Sequence, residues 1–390
     1  MLLLLLAGAG GFYLLQRLLY RRYWSRGLGI AVAFETRAAY EGDTAYLREE
    51  ITNDKLLPLP ALEVNLAMGR ALKFSGEAKD NASVSDQSYR RDIFSLFVRQ
   101  KVIRRLPFVC GRRGFYEIKG ADVIGYDFFF WKSFHDDRQF QTSMYVYPRL
   151  VDSRRIALLC RAVSGMVVTK NRLFPDPFQF AGIREYRPSD PMNQINWKAS
   201  AKGQGLLVNQ FDSATNIRMR IILDTEDPGI VRQDRLNEEG IRIAASLAAR
   251  VVKGRMELTV TGNGMKPVHL KEGAGRLEKL YEELSRIDIY QETKRISQVL
   301  SREKKELSTE LIYVVISMNQ DEETAGAVAS LAEGGNPVLW VIPVSSGDEL
   351  DAAAVSGRTK EGFGSGGFSS GFWGNESPGR AAVFRWEMEG

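Results

Sequence analysis

The chain has 390 residues, 44% hydrophobic and 26% charged, with 53 Lys plus Arg against 48 Asp plus Glu and a net charge of +5. This composition belongs to a folded protein of roughly two or three domains and excludes a wholly disordered chain or a many-span membrane protein. The only cysteines, Cys110 and Cys160, and the only histidines, His135 and His269, are too far apart in sequence to write a disulfide framework or a zinc-ligand spacing.

Four of the five units of net charge fall in residues 1 to 26, which contain Arg17, Arg21, Arg22 and Arg26 and no acid. No charged side chain occurs from Met1 to Leu15, and a helix continued to Tyr20 is about 30 Å long, the thickness of a bilayer's hydrocarbon core. A cleaved signal peptide places its positive charge before the apolar run, and here the order is reversed. The expectation is an uncleaved transmembrane anchor over residues 1–20, with the arginines, Tyr20, Tyr23 and Trp24 forming an interfacial belt. The positive-inside rule then makes the chain a single-pass cell-membrane protein with its soluble domains facing the cytoplasm. A buried amino-terminal helix is the competing reading, and five consecutive leucines with no polar face speak against it.

Residues 27–150 read as short alternating strands separated by Gly, Pro, Asn and Asp, the pattern of an antiparallel β-sandwich. Residues 74 to 91 are polar and read as a long loop. Residues 99 to 113 hold six basic side chains and no acid, but aliphatic residues rather than stacking aromatics lie between them. A solvated strand face is therefore expected there, and no nucleic-acid partner.

Residues 151–215 read as a connecting segment. In residues 216–346 the period changes: apolar strands at 218–223, 256–261, 310–317 and 337–344 alternate with amphipathic helices, as in a sheet covered by helices on both faces. Residues 347–379 are rich in Gly and Ser and read as a flexible loop, with residues 380–390 returning as a possible edge strand. Within that loop Gly362, Gly364 and Gly367 match a dinucleotide-binding spacing and residues 367–371 match a nucleophile elbow. Neither has the strand and helix that its chemistry needs, so both are set aside. No Walker A sequence is present.

The most informative stretch is 182–208, GIREYRPSDPMNQINWKASAKGQGLLV, dense in Arg, Asp, Tyr, Trp and Lys without apolar periodicity. Such composition marks a conformation set by specific polar contacts: a guanidinium of Arg184 or Arg187 can fork onto Asp190, and Trp197 offers an apolar face with one donor. No nucleophile and base can be paired within it. The arrangement of Gly182, Arg184, Glu185, Tyr186, Asp190, Ile195, Trp197, Ser200, Ala201 and Lys202 resembles the signature of the domain of unknown function 58 family. Residues 113–116 (RGFY), 122–128 and 145–149 (YVYPR) match further segments of that family, while Ser189 and Asn193 stand where glycine and arginine are usual.

The resemblance implies an α+β multidomain chain: a membrane anchor, an antiparallel β-sandwich and a C-terminal α/β, von Willebrand factor A-like (Rossmann-like) domain. Members commonly begin with two membrane helices, whereas this chain shows one. The implied partners are a MoxR-type AAA ATPase and a transglutaminase-like membrane protein. A metal-ion-dependent adhesion site would need Asp-x-Ser-x-Ser after the first α/β strand; here Glu226 and Pro228 replace the serines after Asp224. No cofactor is expected beyond a divalent cation, magnesium, on the hard oxygens of Asp224, Glu226 and Asp227.

The leading expectation is thus a non-enzymatic, membrane-tethered interaction or scaffold protein. Arg184, Glu185, Tyr186, Asp190, Trp197, Lys198, Ser200 and Lys202 form its binding or interdomain segment. The competing class is an envelope-related or ligand-processing enzyme using Glu185 and Asp190 as general acid and base in a deep pocket.

Overall fold

The computed structural model describes residues 2–74, 83–84, 87–170, 180–187, 192, 195–201, 205–211, 218–229, 231–253, 256–270, 275–305, 311–333, 336–346 and 381–388. It divides into two compact units, Met1–Arg149 and Leu150–Gly390.

The first unit begins with helix α1 (Leu2–Tyr23) and continues as ten strands: β1 (Leu28–Phe34), β2 (Ala38–Tyr40), β3 (Thr44–Asn53), β4 (Leu59–Gly69), β5 (Leu72–Phe74), β6 (Ser83–Val84), β7 (Gln87–Leu96), β8 (Gln100–Cys110), β9 (Gly114–Tyr126) and β10 (Ser133–Tyr147). They form a four-stranded sheet, β1-β3-β8-β5, and a six-stranded sheet, β2-β10-β9-β4-β7-β6, with antiparallel pairing throughout except for β2 on β10. Period-two alternation sends Ala45, Leu47 and Ile51 of β3 and Phe108 of β8 inward from one sheet. Leu62, Val64 and Leu66 of β4 and Ile118 and Val123 of β9 meet them from the other, so a single apolar core lies between the sheets.

The segment expected as a loop over residues 74 to 91 ends in strand β7, whose charges are paired: Arg90 with the buried Asp92 at 2.7 Å and Arg91, on the outer face, with Glu63 at 2.7 Å. The basic residues of β8 are likewise matched. Arg104 bonds Glu49 at 2.7 Å and Asp92 at 2.5 Å, and Arg105 bonds Glu35 at 2.6 Å. Burial pushes the Glu49 carboxyl above its ordinary range, Asp92 adds to this, and Arg104 opposes it.

The transmembrane anchor expected over residues 1–20 needs correction. No helix among the described residues is long and apolar enough to cross a membrane. Instead Gln16 and Tyr20 of α1 and Trp24 just beyond it are buried on the sandwich, four residues apart. Tyr20 donates its hydroxyl to the Pro58 carbonyl at 2.8 Å, and Trp24 stacks on Phe134 with ring centroids 6.1 Å apart. Trp24 also covers Gly125, where a Cβ would meet the indole at 2.3 Å. The single-pass cell-membrane placement drawn from that anchor is withdrawn with it. The leucine run outweighed the polar and aromatic residues at i, i+4 and i+8 that mark a docked face.

The second unit opens with α2 (Ser153–Lys170), a helix within the stretch read as a connector; its buried Ile156, Leu159, Cys160 and Val163 have helical spacing. A two-stranded ribbon follows, β11 (Phe180–Glu185) with β12 (Leu207–Phe211), and the short helix α3 (Trp197–Ser200) lies between them in sequence. The remainder is β13 (Arg218–Leu223), α4 (Asp234–Lys253), β14 (Glu257–Gly262), β15 (Val268–Leu270), α5 (Gly275–Arg286), α6 (Ile296–Lys305), β16 (Leu311–Ile316), α7 (Glu322–Glu333), β17 (Val338–Val344) and β18 (Ala382–Glu387).

These strands form one sheet in the order β15-β14-β13-β16-β17-β18, parallel except for β15. Leu311, Tyr313 and Val315 of β16 pack with Ile296 and Leu300 of α6 and Val328 and Leu331 of α7. The alternate residue Ile316 lies against Gly240 of α4, so helices cover both faces, and β16 and β17 are buried throughout. The carboxy-terminal β18 is held by Trp386, whose Nε1 donates to buried Glu239 at 2.9 Å under the guanidinium of Arg155, 4.2 Å from the indole. The two enzyme-like matches at 362–371 lie outside the described residues.

Candidate functional site

Strand order in the parallel sheet reverses at β13 and β16, and the crevice outside the carboxyl ends of such strands is where open α/β sheets hold ligands. Three neighbouring strands of the sheet each deliver a polar residue there at the first position after the strand: Asp224 after β13, Asn263 after β14 and Ser317 after β16. Asp224 is buried, and both its oxygens are saturated. Oδ1 accepts from the Glu226 backbone N–H at 2.9 Å and from Asn263 Nδ2 at 2.6 Å. Oδ2 accepts from the Ser317 hydroxyl at 2.6 Å and from Asn319 Nδ2 at 2.8 Å. All four donors are neutral, and burial outweighs them, pushing the carboxyl up to about 6.

The three carboxylates expected to hold magnesium do not converge. Asp227 accepts from the Gln233 N–H at 2.6 Å and the Gly229 N–H at 3.3 Å, while Glu226 accepts from the Ile296 N–H at 3.2 Å. Each therefore caps a different stretch of backbone, and no group of three His, Cys, Asp or Glu able to hold a metal exists among the described residues. The donor set does not fit a divalent cation. Asn263, Ser317 and Asn319 were missed in the sequence; a polar residue directly after the strand was the signal for the first two, and Asn319, two residues beyond Ser317, had none.

The 182–208 stretch is built differently. Arg184 and Glu185 of β11 lie opposite Val208 and Leu207 of β12, Ile195 bridges to Val208, and Ile195 and Val208 are buried together. Asn196 caps α3 by accepting from the Ala199 N–H at 2.9 Å. Ser200 donates its hydroxyl to the Asn196 carbonyl at 2.8 Å and accepts from the Leu207 N–H at 2.9 Å. These two side chains lock the turn onto the ribbon. The Tyr186 N–H bonds the Leu206 carbonyl at 2.8 Å, and Arg184 Nη1 donates to the Glu185 carbonyl at 3.0 Å.

The locked turn directs Trp197 outward, 64% exposed, with Met192, Ile183 and Leu206 also exposed along the same stretch. Lys198 and Glu185 are exposed and Tyr186 is half-buried. Asp190 and Lys202 lie outside the described residues, as does the Arg–Asp190 fork expected from the sequence. Ser200 thus has a structural role, and Asn196, absent from the expected set, shares it.

The open depression of about 420 Å³ in the first unit is lined by Thr36, Ala38, Ala39, Tyr40, Asp43, Thr44 and Tyr147, none of them from the 182–208 stretch. Burial raises the Cys110 thiol to about 11, with Asp43 contributing, which makes it a core residue rather than a nucleophile.

No family model matches the chain, and no curated protein matches it. Among solved structures it is similar to the CARDB domain of a Pyrococcus furiosus protein, at 11% identity and a TM-score of 0.21, over 31% of this chain and 88% of that one. It is similar to the seventh ScaB type I cohesin of Pseudobacteroides cellulosolvens at 15% identity and a TM-score of 0.21, over 30% of this chain and 91% of the cohesin. It is also similar to AvmM, which catalyses a macrocyclization in alchivemycin A biosynthesis, at 12% identity and a TM-score of 0.24, over 33% of this chain and 92% of AvmM. The expected fold class is corrected in two parts: no helix among the described residues is long and apolar enough to span a membrane, and the von Willebrand factor A-like assignment is withdrawn, because the loop that would define it makes a hydrogen-bonded cluster around Asp224 instead of a metal site.

Proposed function

We propose that this chain is a non-enzymatic interaction protein that works with a MoxR-type AAA ATPase, and that the 182–208 stretch is its contact surface. The observation that carries this reading is Trp197, an exposed indole on a turn locked by Asn196 and Ser200. Rigid, exposed aromatic side chains are the residues that anchor protein interfaces, because they bring large apolar area at little entropic cost. The ATPase, and a transglutaminase-like membrane protein beside it, enter through the resemblance of Gly182 to Lys202 to the domain of unknown function 58 signature.

Binding of the purified full chain to a purified MoxR-type ATPase tests the proposal. Trp197→Ala is expected to weaken binding at least about tenfold, the scale of an anchor residue, while leaving the melting temperature of the chain unchanged. Equal binding by Trp197→Ala and the parent would overturn it.

A further inference from the structure

The hairpin joining β9 to β10 carries four consecutive aromatic residues, Phe128, Phe129, Phe130 and Trp131, at its tip. All four are exposed, Trp131 to 69% and Phe130 to 59%. The turn beneath them is a built feature. Asp127 is wholly buried, and its Oδ1 accepts from the Trp131 N–H at 2.8 Å and the Lys132 N–H at 3.3 Å. The Phe130 N–H bonds the Asp127 carbonyl at 3.0 Å. Phe130 has φ +60°, a left-handed conformation that is strained for a bulky side chain and that glycine would adopt freely. An aromatic residue therefore occupies a position where the backbone favours glycine.

The tip does not stand alone. Phe129 contacts Phe12 of α1 with centroids 6.4 Å apart, and Trp131 contacts Tyr13 at 5.0 Å. Next to these contacts α1 exposes Leu6, Leu14, Leu15, Leu18 and Leu19. A helix that is apolar on nearly all sides is stable in water only when covered, and the sandwich buries Gln16 and Tyr20 of α1 while these leucines are left exposed. The exposed charges on α1 and next to the tip are basic: Arg17, Arg21 and Arg22 are exposed on α1, Lys132 follows the tip, residues 1 to 26 contain no acid, and the one acid of the turn, Asp127, is buried.

We infer that the Phe128–Trp131 tip and the exposed side of α1 form one face that lies in the interfacial layer of an anionic lipid surface, without crossing it. A second copy of the chain fits poorly, since it would bring like charges together. A fluid surface suits an exposed aromatic tip beside an exposed apolar helix face. Aromatic rings then sit at headgroup depth, leucines reach the acyl boundary and arginines meet lipid phosphates.

The test is sedimentation of the full chain with phosphatidylcholine–phosphatidylglycerol vesicles and with phosphatidylcholine vesicles. Binding is expected to the anionic vesicles, at least about tenfold weaker to the neutral ones, and reduced by salt. Phe128→Ser with Phe130→Ser, which keeps Asp127 and its turn, is expected to weaken anionic binding by about 100-fold from the lost apolar area. Trp131→Phe should retain binding yet lose most of the fluorescence quenching by brominated lipid that the parent shows. Absence of vesicle binding by the parent, equal binding by the serine variant, or a parent dimer that becomes monomeric in the serine variant without any lipid binding would each overturn the inference.

Discussion

Gln16 of α1 donates its side-chain Nε2–H to Asp127 Oδ2 at 3.2 Å, across 111 residues of chain. One carboxylate thus ties the amino-terminal helix to the hairpin whose turn it also organises. The Gln16 Oε1 atom beside it is buried with no hydrogen-bond partner.

The arrangement separates two substitutions at Asp127. Asp127→Ala strips acceptors from two turn N–H groups and from Gln16, and is expected to cost about 2–3 kcal/mol in urea unfolding. Asp127→Asn keeps an acceptor for the turn, and its amide N–H can serve Gln16 Oε1 once the glutamine amide turns over. A loss below about 1 kcal/mol is expected for it. Equal losses in the two variants would show that the link is not formed.

Arg104 lies between Glu49 and Asp92 with its guanidinium over the Phe94 ring, 4.7 Å from the centroid. Arg104→Met leaves the buried Glu49 carboxylate without its partner, and about 3 kcal/mol of stability is expected to be lost. Arg104→Met combined with Glu49→Gln should recover more than half of that loss, which a double-mutant cycle by chemical denaturation would measure.

Asp224 sets a pH dependence with a definite sign. Its carboxyl is raised from 3.8 to about 6 in the folded chain, so the folded state binds the proton more tightly than the unfolded state. Its contribution to stability is fully present below pH 3.8 and is lost as pH rises through about 6, a change of about 3 kcal/mol. The stability difference between the parent and Asp224→Asn, followed by urea unfolding, should move by that amount in that direction. A difference that is flat with pH would contradict the burial of this carboxylate.

Ser200→Ala removes the acceptor of the Leu207 N–H and the donor to the Asn196 carbonyl, and about 1–2 kcal/mol of local stability is expected to go with them. Faster hydrogen exchange at Leu207 is the readout. Ser200→Thr retains the hydroxyl and should retain protection at that amide.

Legibility in the sequence followed the range of the interactions involved. Strand 311–316 was readable because a strand buried on both faces is an apolar run whatever surrounds it, and 218–223 because it closes on the buried Ile221, Ile222 and Leu223. The 182–208 stretch was readable as polar-contact structure, but the role of each residue was not: Ser200 turned inward to the Leu207 amide while Trp197 turned out. Helix α2 carried its apolar spacing in plain view within a stretch read as a connector. At α1 the leucine run pointed to a bilayer, because the acceptors of Gln16 and Tyr20 lie on Asp127 and Pro58, far along the chain.

Composition and period by themselves determined that this protein has a β-rich first part and an alternating strand and helix second part, that its excess charge sits at the amino end, and that its two cysteines and two histidines write no disulfide framework or zinc-ligand spacing. These follow from local rules, since hydrophobic period and residue count do not depend on distant partners. Only the tertiary structure decided that the acids of residues 224–227 are spent on separate backbone and side-chain donors, and that four aromatics at a hairpin tip adjoin the first helix. Those outcomes depend on which donors the folded chain brings within about 3 Å of each acceptor, and that proximity is not written in sequence spacing.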